Sequence, residues 1–256
     1  MFSLNHFIWI GISVALIAIA IVLLRKYRPP LKNVLTVCCV MAVLSEITKI
    51  LSMVKLVPSS DGSMMTPYLE LNQLPFNPCS LQIIFIFIAR LTSNESLRRT
   101  ALGFMYPTCL GGTVGAILLP TIFTYSIDAS QAFTHLLGYQ YFIYHSMLFT
   151  LGVYIPMSRE AHLGRRQYAT TMALFFTFGF SSIYINALCA SPTYIDGELI
   201  SVDFATNFFF TGSQSWLMTF TDISQWRLYF LAIVIFAAVG ITAVYIPYIR
   251  KPKKTE

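Results

Sequence analysis

Charge is scarce in this chain. Asp, Glu, Lys and Arg make up only 11% of its 256 residues, where a soluble domain carries about a quarter. Hydrophobic residues reach 56%, including 21 Phe and 14 Tyr. A solvated, disordered chain is therefore excluded, because that much apolar surface does not stay in water. The five cysteines are an odd number, which rules out a complete disulfide framework. Histidines number four, and no His/Asp/Glu cluster falls at ligand spacing, so no metal or other cofactor is expected. The run Gly111-Gly112-Thr113-Val114-Gly115 lacks the lysine of a phosphate-binding loop. Its Gly-x-x-x-Gly spacing reads instead as close helix packing. There is no soluble domain, internal repeat or low-complexity tract.

What the chain has is long apolar runs. A membrane-crossing helix needs roughly 20 mostly apolar residues. Seven stretches read that way: 7–24, 34–57, 74–91, 101–123, 133–157, 169–190 and 226–249. The third is the shortest, and Pro107 and Pro120 interrupt the fourth. Barrel strands would be about ten residues long and alternate in polarity, and these do not. The first stretch is too long for a signal-peptide core and lacks a preceding basic residue and a small-residue cleavage site, so it is expected to be retained. The expected fold is all-α: one domain over 1–256, a polytopic membrane bundle of seven helices.

The few charges then become informative. Four basic residues follow the first span (Arg25, Lys26, Arg28, Lys32), and three follow the third (Arg90, Arg98, Arg99). Three more follow the fifth (Arg159, Arg165, Arg166), and four follow the seventh (Arg250, Lys251, Lys253, Lys254). Asp61, Glu70, Asp128, Asp196, Glu198, Asp203 and Asp222 fall on the other side. The positive-inside rule then puts the N-terminus outside and the C-terminus in the cytoplasm. The net charge of +6 is thus topological, and nucleic-acid binding is not expected. Two outer connections are long. The stretch 58–73 is polar; 191–225 mixes acids with an aromatic run too short to cross, as a re-entrant or surface-lying segment would. So compact a chain suits a bacterial cytoplasmic membrane.

Polar side chains inside spans are costly, and they are functional or paired. Glu46 and Lys49 share a helix face and can form an intramembrane ion pair. Pro78 suits the first turn of the third helix, which places Cys79 there. The positive end of the helix dipole favours a reactive thiolate at that position. Gln82 follows on the same face and could donate to an oxyanion. Equally, Cys79 reads as a small packing residue, or as half of a Cys79–Cys189 bridge, which would abolish the thiolate. His145 is the one histidine deep within a span, roughly 15 Å from its outer end, with Cys79 roughly 8 Å deep. A Cys–His pair suits acyl transfer; an interhelical hydrogen bond accounts for His145 as well. Asn186 and Asn207 complete an outer polar set that could orient His145, bind a head group or simply cap helix ends.

At these residues the sequence resembles the YwaF-like membrane proteins of bacteria and their eukaryotic relative, transmembrane protein 164. The patterns are the Pro/Cys motif at 74–80, Gly112 to Pro120, Tyr141 to His145 and the Thr-Asn-Phe-Phe-Phe run at 206–210. The resemblance implies a membrane acyltransferase that moves an acyl chain between phospholipids, with Cys79 as nucleophile and His145 as base. Many bacterial members look like Pro-Leu-His-Leu-Cys, and Asn77 stands here where they have histidine. Two other classes stay open: a small-solute transporter with Glu46, Lys49 and His145 on its path, and a non-enzymatic scaffold or sensor.

Overall fold

The computed structural model describes residues 2–212 and 225–250. Asp222, Lys251, Lys253 and Lys254 lie outside them. Among the described residues seven helices carry the fold: α1 (Leu4–Tyr27), α2 (Leu31–Met53), α3 (Pro78–Leu91), α4 (Glu95–Leu118), α6 (Leu136–Ser158), α7 (Arg165–Leu188) and α8 (Trp226–Ile249). A single turn, α5 (Ile122–Tyr125), follows α4. The all-α reading of the sequence holds. Local chemistry sets the ends. Ser3 caps α1 by accepting from the His6 amide, and Asn94 caps α4 by accepting from Ser96 and Leu97, filling orphan donors of a first turn. Arg28 stops α1 in a left-handed conformation at φ 46, and Pro29-Pro30 cannot extend the helix.

The expected spans and the helices agree to within a few residues at most ends, but two differ for a reason. The third helix begins at Pro78 rather than 74, after a 3-10 turn at Leu71–Gln73. Its 14 residues rise about 21 Å, short of a hydrocarbon core of about 30 Å. The fourth stops at Leu118, because Pro120 has no N–H to continue it. Helices α1, α2, α4, α7 and α8 are long and apolar enough to cross a membrane. Tyr, Gln and His residues dilute α6.

Helix α4 is the axis, packed against α3, α6, α7 and α8, while α6 also holds α1 and α2. A proline inside α4 and another just past its end decide two of these contacts. Pro107 leaves the Gly103 carbonyl without its helical donor, and the Tyr245 hydroxyl of α8 donates to it at 2.7 Å. Pro120 does the same to the Ala116 carbonyl, which accepts from Tyr141 of α6 at 3.0 Å. The ring of His6 in α1 reaches the next free carbonyl, Ile117, at 3.0 Å. Gly152 of α6 lies against Cys109 and Leu110, so a Cβ there would sit 3.0 Å from Leu110. The Gly-x-x-x-Gly expectation fails, by contrast: a Cβ at Gly111 or Gly115 meets nothing within 4 Å. Close approach falls instead at Gly152 on α6, against α4, and at Gly103 on α4, where a Cβ would come within 2.9 Å of Gln167 in α7 and 3.2 Å of the Tyr245 hydroxyl in α8.

The basic connections gather at one end. There Glu160, between α6 and α7, accepts from the Leu31 amide at 2.7 Å and faces Arg98 at 3.7 Å, while Arg165 donates to the Ile249 carbonyl. The two long connections at the other end contain antiparallel hairpins, which the apolar periodicity does not show. Strand β1 (Lys55–Pro58) pairs with β2 (Met65–Tyr68), and β3 (Ala190–Ile195) pairs with β4 (Glu198–Phe204).

Candidate functional site

Cys79 is the second residue of α3, directly after the helix-starting Pro78. Its thiol faces Gly112 of α4, where a Cβ would lie 3.7 Å from Sγ. The glycine leaves room that any side chain would fill. The Tyr144 hydroxyl of α6 donates to the Cys79 carbonyl at 3.0 Å, tying the start of α3 to the helix that bears His145. All five cysteines are free, so no bridge joins Cys79 to Cys189.

His145 is buried, and its Nδ1 donates to the Tyr141 carbonyl at 2.6 Å. A carbonyl only accepts, so Nδ1 carries the proton and Nε2 of the neutral ring is the basic atom. The imidazole packs on the Tyr141 ring with centroids 4.2 Å apart, and edge-on to Tyr144 at 5.7 Å. Among the described residues no hydrogen bond joins Sγ of Cys79 to His145. The link runs through Tyr144, the residue before His145.

Gln82 is fully engaged. Its Nε2 donates to the Pro78 carbonyl and to Thr108 Oγ1, each at 3.0 Å, and its Oε1 faces the Cys109 thiol at 3.4 Å. It braces the first turn of α3 against α4. Asn77 precedes that turn; its carbonyl accepts from the Leu81 amide at 3.0 Å, and its side chain makes no cap bond.

Asn186 and Asn207 belong to a second group. The Asn186 amide, buried in α7, accepts from the Phe208 amide and Thr206 Oγ1, each at 2.9 Å. It also donates to the Phe208 carbonyl and Thr211 Oγ1, each at 3.1 Å. Asn207 Oδ1 accepts from the Gly212 amide at 2.8 Å. These bonds clamp a turn in which Phe209 and Phe210 take φ of 54 and 56, a conformation that costs a bulky L-residue roughly 1–2 kcal/mol. The aromatic run is thus a strained, buried turn after the β3–β4 hairpin, seated on α7. Phe208 meets Phe76 edge-on at 5.6 Å, and Phe76 lies three residues before Cys79. The two groups therefore touch.

Glu46 and Lys49 form the expected pair at 2.6 Å, and Lys49 also donates to the Gln73 carbonyl at 3.2 Å. The pair fastens α2 to the turn that leads into α3. Sequence reasoning gave Tyr144 and Gly112 no site role, although both fall within the family patterns at Tyr141 to His145 and Gly112 to Pro120. The phenol of Tyr144 is a polar group inside a span and was open to the same rule that flagged His145; Gly112 has no side-chain chemistry to flag.

Among the described residues, five long apolar helices in a bundle with two small hairpins at one end define an integral, multi-pass membrane protein. The sequence model of the TMEM164 family matches residues 1–245, and the chain belongs to that family. The resemblance drawn from its motifs is thereby borne out. No curated protein and no solved structure matches the chain significantly.

Proposed function

We propose that this protein is a cysteine-dependent acyltransferase acting on membrane phospholipids, with Cys79 as nucleophile and His145 as general base. The observation that carries the reading is the 3.0 Å bond from Tyr144 to the Cys79 carbonyl, which holds the thiol-bearing turn beside the residue preceding His145. Nε2 of His145 takes the thiol proton as Sγ attacks the ester carbonyl of a phospholipid. The tetrahedral adduct collapses, the C–O bond breaks, and the leaving lysolipid alkoxide takes that proton from the imidazolium. Cys79 then holds the acyl group as a thioester. A lysolipid hydroxyl reverses the sequence: it gives its proton to His145, attacks the thioester and releases the thiol. The strained turn at 206–212 shields the thioester from water.

In this reading the chain crosses the bilayer seven times, the segment from Leu71 that leads into α3 completing the third crossing. The short α3 starts below the outer surface, and the basic end faces the cytoplasm, of a bacterial cell membrane. A transporter is the less favoured alternative: Glu46 and Lys49 do not line the apolar groove between α1, α2 and α6.

The test is thioester formation. Purified protein in nanodiscs with an alkyne-tagged phospholipid is expected to acquire a hydroxylamine-labile acyl label, absent in Cys79→Ala. His145→Gln should slow labelling by about a hundredfold or more. Lipid turnover unchanged in Cys79→Ala would overturn the reading.

A further inference from the structure

The turn between α1 and α2 is Arg28-Pro29-Pro30, fixed to α6 because the Tyr154 hydroxyl donates to the Pro29 carbonyl. Above it a groove of about 400 Å³ runs between α1, α2 and α6, within the usual range of ligand pockets, roughly 300–1,000 Å³. Its walls include Leu16, Ala20, Leu24, Val37 and Met147, and it ends at Pro29 and Asn33. Arg28 and Lys32, the residues before those two, are exposed, as are Arg25 and Lys26. Among the described residues none of these four cations pairs with a carboxylate. Glu160, the acid that reaches this turn, is occupied by Arg98 and the Leu31 amide.

We propose that this groove is a binding site for a phospholipid with an anionic head group, its acyl chain between α1, α2 and α6 and its phosphate against Arg28 and Lys32. Three features select that occupant. The walls are apolar along helices that cross the membrane, where hydrocarbon is the solvent. One end of the groove, at Pro29 and Asn33, lies at the α1–α2 turn, a helix end where head groups sit. The four cations there, none of them paired with a carboxylate, complement an anion, each favouring an anionic lipid surface by about fivefold. The site neither includes nor requires Cys79 and His145, so it stands or falls apart from acyl transfer.

The test is lipid retention. The full chain, purified from nanodiscs of phosphatidylcholine with a minor share of phosphatidylglycerol, is expected to keep phosphatidylglycerol in excess, read by native mass spectrometry. Arg28→Asn with Lys32→Gln should cut that enrichment by at least about fivefold; Asn suits the left-handed backbone at position 28. Ala20→Phe, which fills the groove, should abolish it with all charges in place. If Ala20→Phe fails to fold, Val37→Trp on the facing wall is read instead. Arg165→Gln with Arg166→Gln should leave enrichment unchanged. Equal loss in that control pair would mean charge at this end in general, and would overturn the site. Enrichment that survives groove filling would mean a head group or soluble phosphate on the surface alone, and would overturn it too.

Discussion

The hydroxyl of Tyr144 donates to the carbonyl of Cys79 at 3.0 Å, so the helix that bears His145 also holds the turn that bears the thiol. A neutral hydrogen bond of this kind contributes roughly 0.5–1.5 kcal/mol net. Tyr144→Phe keeps the ring and loses only the bond. It is expected to slow Cys79 thioester formation by about three- to tenfold, with the labelling end point unchanged. A rate equal to wild type would show that Tyr144 has no positioning role.

The Gly103 carbonyl gives a prediction about stability. Tyr245 supplies the donor that Pro107 removes. Tyr245→Phe leaves a buried acceptor unsatisfied, at a cost of about 1–3 kcal/mol. In a Pro107→Ala background the helical N–H returns, and the same Tyr245→Phe change should cost well under half as much. Equilibrium unfolding of the four proteins closes the cycle, and additive effects would contradict this account of the α4–α8 contact.

Asp61, in the turn between β1 and β2, titrates outside the membrane. The hydroxyl of Ser59, then the amide and hydroxyl of Ser63, hydrogen-bond its carboxylate and lower its pKa from 3.8 to about 2. Because the folded value is depressed, the carboxylate's support of the turn is complete above about 3.8 and is lost as pH falls through about 2. Carbon chemical shifts of Asp61 should follow that low titration. Ser59→Ala should move the midpoint up toward the ordinary value.

How much of this was legible in the chain depends on the kind of signal. Helix α8 lies where its apolar run put it, at Trp226–Ile249, because no charged residue follows Arg227 within that run. The Glu46–Lys49 pair was readable from its spacing. The β3–β4 hairpin announced itself only through Asp196-Gly197, whose φ values of 51 and 83 fit a two-residue primed turn, while the surrounding apolar residues resembled a membrane-associated segment. The role of Asn186 was not legible: the groups it holds, from Thr206 to Thr211, lie 20 to 25 residues away. Nor was the engagement of Gln82, since its partners Thr108 and Cys109 lie on another helix.

Two glycines separate packing from chemistry. At Gly138 a Cβ would come within 2.1 Å of the Ala132 carbonyl oxygen, a backbone atom that cannot swing aside. Gly138→Ala is therefore expected to destabilise the protein by about 3 kcal/mol or more, the upper range of overpacking. At Gly112 the Cβ would rest 3.7 Å from the Cys79 sulfur, an ordinary contact, and alanine suits a helix better than glycine by up to about 1 kcal/mol. Gly112→Ala should thus fold as well as wild type while crowding the one face of Cys79 that the glycine keeps open. Alkylation of Cys79 by a membrane-permeant maleimide, in a background where the other four cysteines are Ala or Ser, should slow severalfold in Gly112→Ala at an unchanged melting temperature. If that alkylation rate does not change, the thiol is reached from a side other than α4, and Gly112 is a packing residue only.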